Sequence, residues 1–175
     1  MCACTCCNDS EISGVHSLLP RDLQANCSRC AALCCHAYEF RLELGDPFDK
    51  PANARCSLLN AARQCAIYAT REANALHACI NYECYGAGQW ITREFPNGQP
   101  QDVLERFRLV RSIHEVLAMI TLVLNSKPSS SSRARLSELR RELEALRGEP
   151  LERVRTALPT KRAVAMCTLR AAMMY

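Results

Sequence analysis

The sequence predicts a mainly α protein, with a small cysteine-rich domain that includes a long amphipathic helix and with a helical C-terminal extension. Three observations carry this prediction. Apolar residues recur at helical spacing from Val103 to Leu124, and leucines do so from Leu136 to Leu146. Thirteen cysteines are concentrated in the first half of a chain of 175 residues, which is long enough for one compact domain and an appendage.

Composition and charge argue against several classes of protein. The net charge of +4 is small and the basic residues are mixed with acidic ones, so no nucleic-acid partner is expected. The apolar run from Val116 to Leu124 is too short to cross a bilayer, which needs about 20 residues. The start MCACTCCNDSEISG lacks the basic and apolar regions of a signal peptide. We therefore expect a cytoplasmic protein without a membrane span.

The chain divides into four predicted segments. Residues 1–19 form a flexible cysteine-rich leader, and residues 20–126 form a cysteine-cluster domain. Residues 127–134 contain four consecutive serines and read as a low-complexity linker. Residues 135–175 form the helical extension.

In the first half, strong helix formers after Pro20 predict a helix over residues 20–36. Glycine and proline punctuate residues 39–56, which predicts a loop with at most a short strand. Further helices are predicted over residues 61–72 and 84–93.

In the second half, a turn is predicted at residues 95–100 and a long amphipathic helix at residues 101–124. Beyond the serines, the break at Gly148 and Pro150 predicts a helical hairpin or a kinked helix. The apolar face of these C-terminal helices is formed by Leu136, Leu139, Leu143 and Leu146. This face either packs within the chain or binds a protein partner or a second copy of the chain.

Eight cysteines fall within 58 residues and form the candidate metal site: Cys27, Cys30, Cys34, Cys35, Cys56, Cys65, Cys79 and Cys84. In a helix, Cys27, Cys30 and Cys34 would share one face, where three thiolates repel one another unless a cation lies among them. Thiolates are preferred ligands of zinc and iron. Eight thiols suffice for two four-thiolate zinc sites, for one 4Fe-4S iron-sulfur cluster with spare thiols, or for a mixture.

Core burial and disulfide formation compete with metal binding as roles for these thiols. Cysteine can be buried as a small apolar residue, although charged neighbours make that a poor core here. Disulfides need an oxidising compartment, against which the N-terminus argues. A bound metal would cross-link the loop regions of the first half and so stabilise them as a domain.

Several lesser candidates accompany this set. His36 and His77 lie beside cysteines and could each replace one thiolate, whereas His114 in the long helix suits a structural role. The leader cysteines could bind a soft ion or belong to a disordered tail, and their role stays open: Cys2, Cys4, Cys6 and Cys7.

The stretches CSRCAALCC, CSLLNAARQCAIYATRE and CINYEC resemble the bacterial YkgJ-type cysteine-cluster family, described as zinc- or iron-chelating. A closer resemblance, over residues 26–124, is to the cysteine-rich module ahead of the repeats in some actinobacterial pentapeptide-repeat proteins; it runs through Phe48-Asp49-Lys50 and residues 85–89. Glu72 stands where the broad family usually has proline, the gap from Arg71 to Cys79 is longer, and the serine run takes the place of repeats.

The resemblance implies a metal-binding module. Together with the absence of a separate catalytic set, it predicts a non-catalytic metal-handling or interaction protein that holds zinc or an iron-sulfur cluster. One branch of the broad family, the flagellin lysine methylases, implies the alternative, an iron-sulfur redox or protein-modifying enzyme. Whether the chain is an enzyme stays open at this point.

Overall fold

A computed structural model describes residues 17–98 and 100–174 of the chain. These residues form six α-helices: α1 (Leu33–Ala37), α2 (His77–Ile80), α3 (Ala87–Glu94), α4 (Pro100–Asn125), α5 (Ser130–Leu146) and α6 (Leu151–Met173). Short 3₁₀ helices lie at Arg21–Leu23, Cys27–Arg29, Leu42–Leu44 and Tyr68–Thr70. Within the described ranges, extended pairing is limited to two isolated antiparallel bridges, Phe40 with Lys50 and Leu59 with Cys65. The prediction of a mainly α fold is confirmed.

Helix α4 is the central element, and it confirms the long amphipathic helix predicted at residues 101–124. Its first half packs against α3, where Leu104, Phe107 and Val110 meet Trp90 and Ile91. Its second half is covered by α5 and α6. Because α4 is buried on several sides, it joins the cysteine-rich half to the C-terminal helices.

Helices α5 and α6 form the predicted hairpin, and they pack within the chain. The turn falls at Gly148 to Pro150, between the two helices. The leucines that could have served a partner are instead at most 5% exposed in the core shared with α4: Leu136, Leu139, Leu143 and Leu146. A docking surface made of these four side chains would require the bundle to open.

The serine run is helical, which corrects the predicted linker. Helix α5 begins at Ser130, and the hydroxyl of Ser129 accepts a hydrogen bond from the backbone N–H of Ser132 at 3.3 Å. Serine is a favoured N-cap because its hydroxyl satisfies an orphan amide of the first turn. The serines therefore start a helix. The division of the chain into four segments stays a prediction, and the leader cysteines lie outside the described residues.

The helix predicted over residues 20–36 is wrong. That segment is a chain of short turns, and only α1 at its end is α-helical. Ala32 has a left-handed conformation, with φ of 55°, which a right-handed helix cannot contain. The preceding turns are held by α3, since the backbone N–H groups of Asn26 and Ala31 donate to the side chains of Gln89 and Thr92.

The helix predicted over residues 61–72 is also wrong, apart from one 3₁₀ turn. Asn60 closes a local turn instead, because its side-chain oxygen accepts from the N–H of Gln64 at 3.0 Å and its own N–H donates to the Gln64 carbonyl at 2.9 Å. Such side-chain bonds compete with helix formation. Arg63 is left-handed, with φ of 58°. By contrast, the helix predicted over residues 84–93 is present as α3.

No helix among the described residues has the length and apolar character needed to span a membrane.

Candidate metal centre

The eight candidate cysteines lie on turns and short helices that surround α1. Cys27 is the first residue of the second 3₁₀ helix, Cys30 follows its last residue, and Cys34 and Cys35 are consecutive residues of α1. Cys56 and Cys65 lie in the following loops, Cys79 lies in α2, and Cys84 precedes α3. All eight are free thiols, as is the exposed Cys167 of α6.

The first thiol group comprises Cys27, Cys30, Cys34 and Cys84. Cys30, Cys34 and Cys84 pack against the apolar cluster that α1, α3 and α4 share, beside Trp90 and Phe107. The sulfur of Cys30 lies so close to Gly88 that a β-carbon there would come within 2.6 Å of it. Cys27 is tied to the loops by the Tyr68 hydroxyl, 3.9 Å from its sulfur.

The second thiol group comprises Cys35, Cys56, Cys65 and Cys79. Cys35, Cys56 and Cys79 pack in a separate apolar cluster with Phe40 and Leu59. The N–H of Cys56 donates to the carbonyl of Cys35 at 3.2 Å, and the bridge between Leu59 and Cys65 brings Cys65 to the same turn. Cys79 is near enough to Cys35, Cys56 and Cys65 for their charges to raise the pKa of its thiol.

The two groups adjoin where Cys34 meets Cys35. Their sulfur atoms are 3.9 Å apart. The Cys34 thiol donates a hydrogen bond to the Cys35 sulfur. This bond raises the pKa of Cys34 well above the usual range and lowers the pKa of Cys35 to about 7. The charges of Lys50 and Arg71 also lower the pKa of Cys35. Of the two, Cys35 is thus the thiol that ionises near neutral pH.

Backbone amides already point at four of the sulfur atoms, including that of Cys35, which accepts from its own N–H. The sulfur of Cys30 accepts from the N–H groups of Ala32 and Leu33. Cys56 and Cys84 accept likewise from the residues that follow them: Leu58 for Cys56, and Gly86 and Gly88 for Cys84. Left-handed residues, Ala32 and Gly86, shape two of these turns. Amide donors stabilise a thiolate and are typical outer-shell partners of metal-bound sulfur.

A β-carbon on Gly86 would collide with the carbonyl oxygen of Asp22. Together with its left-handed φ of 76°, this close approach explains why glycine occupies the turn after Cys84.

Two cations face the second thiol group. Lys50 is only 4% exposed, and its ammonium donates to the carbonyls of His36, Pro51 and Ala54 at 3.0 to 3.5 Å. The guanidinium of Arg71 lies over the ring of Tyr68, 3.7 Å from its centre. Their charges offset part of the negative charge that thiolates would bring into this half-buried region.

Burial keeps most of these thiols protonated near neutral pH. It raises the pKa of Cys79 to about 12 and that of Cys84 to about 11, and it raises the pKa of Cys30 and Cys56 as well. Within the described ranges, no three His, Cys, Asp or Glu side chains lie close enough together to hold an ion. Coordination would therefore require the thiols to lose protons and turn toward a common point.

The two histidines suggested as replacements for a thiolate differ in surroundings. His36, in α1, is half-buried, and burial lowers the pKa of its imidazole, with help from the charges of Arg55 and Lys50. His77 is exposed at the start of α2. His114 has the structural role predicted for it: it is buried, with Nδ1 2.7 Å from the Tyr85 carbonyl and Nε2 3.2 Å from Arg147.

The sequence pattern did not mark Lys50, Arg71 or Tyr68 as neighbours of the thiols. Lys50 stands between Asp49 and Pro51 in a segment that resembles loop punctuation. A lysine followed by proline carries no local signal of burial. Only the antiparallel pairing of Phe40 with Lys50, at 2.9 and 3.0 Å, turns it inward.

Comparison with known proteins adds a limited similarity. The chain is 28% identical over 111 residues to an uncharacterized protein, YybG, of Bacillus subtilis (strain 168). The match covers 59% of this chain and 40% of that protein, so the chain spans less than half the length of this curated relative. No family model matches the chain, and no solved structure matches it. The chain is thus similar, over part of its length, to a longer bacterial protein of uncharacterized function.

Proposed function

We propose that the chain is a metal-binding protein that holds zinc through its eight clustered cysteines and acts as a non-catalytic metal-handling or interaction module of the bacterial cytoplasm. The observation that carries the proposal is the set of backbone amides aimed at the sulfur atoms of Cys30, Cys56 and Cys84. A cysteine that merely fills a core needs no such donors, whereas a metal-bound thiolate is stabilised by them.

The surroundings of the thiols also fit a metal. Four-thiolate coordination adds negative charge to a half-buried site, and Lys50 and Arg71 supply positive charge there. The raised pKa values of Cys79 and Cys84 mean that binding must displace protons, which a divalent cation does by replacing them at sulfur.

Membership of the YkgJ-type cysteine-cluster family belongs to the same proposal. It is supported by the residue patterns around Cys27, Cys56 and Cys79, and the similarity to YybG is compatible with it. The family resemblance also suggests the competing occupant, an iron-sulfur cluster in a redox or protein-modifying enzyme. Amide donors and cysteine ligands serve such a cluster equally well.

Anaerobic purification of the full chain, followed by elemental analysis and an absorption spectrum, tests the proposal. We expect a colourless protein with stoichiometric zinc. A brown protein with iron and sulfide would favour the iron-sulfur alternative. A fully folded protein without bound metal, prepared under reducing conditions, would overturn both.

A matched pair of variants connects the metal to the site. Replacing Cys56, which is 5% exposed in the cluster, by alanine should lower the bound metal. Cys167→Ala removes an exposed thiol on α6 and should leave the metal content unchanged. Equal metal content in the two variants would contradict the proposed ligand set.

A further inference from the structure

We propose that the eight thiols form two separate four-thiolate sites: Cys27, Cys30, Cys34 and Cys84 hold one zinc ion, while Cys35, Cys56, Cys65 and Cys79 hold a second. This inference rests on the proposed function and assigns its ligand grouping.

The first group is attached to α3. The turn that bears Cys27 and Cys30 is held by two bonds to α3 side chains, from the Asn26 N–H to Gln89 at 2.5 Å and from the Ala31 N–H to Thr92 at 2.9 Å. Cys84 lies at the start of the same helix, where its carbonyl accepts from the N–H of Ala87 at 3.0 Å. One helix therefore positions three of the four thiols.

The second group is attached to the loops on the other side of α1. The backbone N–H of Cys56 donates a hydrogen bond to the Cys35 carbonyl. The Ala66 N–H donates to the Leu58 carbonyl at 2.8 Å, which keeps Cys65 beside Cys56. The Arg71 guanidinium lies 3.5 Å from the Cys79 carbonyl. None of these contacts involves α3, so the second group can form without rearranging the first.

Consecutive residues of α1 separate the two groups. Successive side chains of an α-helix diverge by about 100°. Cys34 accordingly packs with Trp90 and Phe107, whereas Cys35 packs with Phe40 and Leu59. Each cysteine thus belongs to a different apolar cluster.

A single shared site would also explain two features: the contact between these two cysteines, and the position of Cys27, which is near enough to Cys35 for their charges to interact. A tetrahedral zinc site with bonds of about 2.3 Å has sulfur–sulfur edges of about 3.8 Å. The 3.9 Å between Cys34 and Cys35 matches such an edge. Their remaining neighbours favour two sites, because Cys30 and Cys84 pack with Cys34 in one apolar cluster, whereas Cys56 and Cys79 pack with Cys35 in the other.

Zinc stoichiometry tests the grouping. The background is the full chain with the five remaining cysteines replaced by alanine: Cys2, Cys4, Cys6, Cys7 and Cys167. We expect two zinc ions per chain by native mass spectrometry and elemental analysis after anaerobic loading with zinc alone. One ion per chain would overturn the grouping while preserving the proposed function; no ion would overturn both.

Single variants then separate the sites. Cys84→Ala and Cys79→Ala should each lose one ion and keep the other, and the double variant should lose both. Loss of both ions in either single variant, with the helical circular dichroism of the bundle intact, would overturn the grouping.

A measurement on the background chain guards against misfolded variants. After loading with Co²⁺, X-ray absorption should show four sulfur neighbours per metal and no metal–metal scattering, and the magnetic moment should be that of two uncoupled ions. A metal–metal vector or magnetic coupling would indicate one bridged cluster and refute the two-site arrangement.

Discussion

The α-carbon of Gly88 faces the sulfur of Cys30 so closely that a β-carbon there would lie 2.6 Å from that sulfur. Gly88 has no positive φ that would require glycine, so close approach is the reason for a residue without a side chain at this position of α3. Helix α3 and the Cys30 thiol thus pack closely at Gly88, although the two residues are 58 positions apart in the sequence.

Gly88→Ala should therefore weaken metal binding without unfolding the protein. The methyl group displaces the Cys30 sulfur from its amide donors, while alanine favours the helix. We expect zinc affinity at the first thiol group to fall roughly tenfold or more, measured by chelator competition. Gly148→Ala is the matched control, because a β-carbon there meets its nearest atom at an ordinary 3.8 Å. Equal affinities in the two variants would show that the Cys30 position is not part of a metal site.

Lys50→Met should weaken zinc binding by the second thiol group. The substitution keeps most of the buried volume but removes the charge that lowers the pKa of Cys35 and Cys56. It also leaves the carbonyl oxygens of His36 and Ala54 without their donor, which costs about 1–3 kcal/mol of folding free energy, whereas the Pro51 carbonyl still accepts from the Ala54 N–H. We expect zinc affinity at pH 7 to fall about tenfold, with a steeper dependence on pH.

The control for this substitution is Lys127→Met, because Lys127 is exposed between α4 and α5. Isothermal titration at several pH values compares the two variants. A Lys50→Met protein that binds zinc as tightly as the Lys127→Met protein would show that the buried ammonium does not support the thiolates.

How far the sequence anticipates this architecture depends on the range of the interactions. The apolar spacing of an amphipathic helix is visible in a short stretch of sequence, so α4 and the hairpin could be predicted from it. The turns before α1 do not, because contacts such as Asn26 with Gln89, 63 residues apart, override local helix propensity.

The candidate site divides in the same way. The unusual cysteine content identifies the eight thiols, but their grouping depends on pairings such as Cys30 with Cys84 that no local pattern encodes. The buried Lys50 is hidden for the same reason, since its environment is created by a bridge to Phe40.

Acidification should destabilise the fold through His114. Burial lowers the pKa of its imidazole to about 4 from an ordinary value of 6.5, with a further contribution from the charge of Arg147. Between these values the unfolded chain binds a proton that the folded chain does not. This contribution to stability is therefore complete above pH 6.5 and is lost as the pH falls toward 4, amounting to about 3 kcal/mol.

His114→Gln tests this assignment, because glutamine can still donate to the Tyr85 carbonyl and accept from Arg147 but does not titrate. Urea unfolding at pH 7 and pH 4.5, in the same chelator-containing buffer, measures the difference between the proteins. We expect the wild type to lose more stability than the variant over this interval. Parallel losses in the two proteins would place the acid sensitivity elsewhere.

Metal removal should loosen the loops and spare the bundle. Residues 39–84 bury few apolar side chains of their own, chiefly Phe40, Cys56, Leu59 and Leu76, whereas α5 and α6 share a continuous core with α4. A segment with so little apolar burial needs another source of stability, which the proposed coordination by the second thiol group would supply. Hydrogen exchange with and without chelator, under reducing conditions, should therefore show protection lost in residues 39–84 and retained in α5 and α6. Loss of protection in both regions together would mean that the metal supports one cooperative unit, and unchanged protection in the loops would mean that they are held by the protein contacts alone.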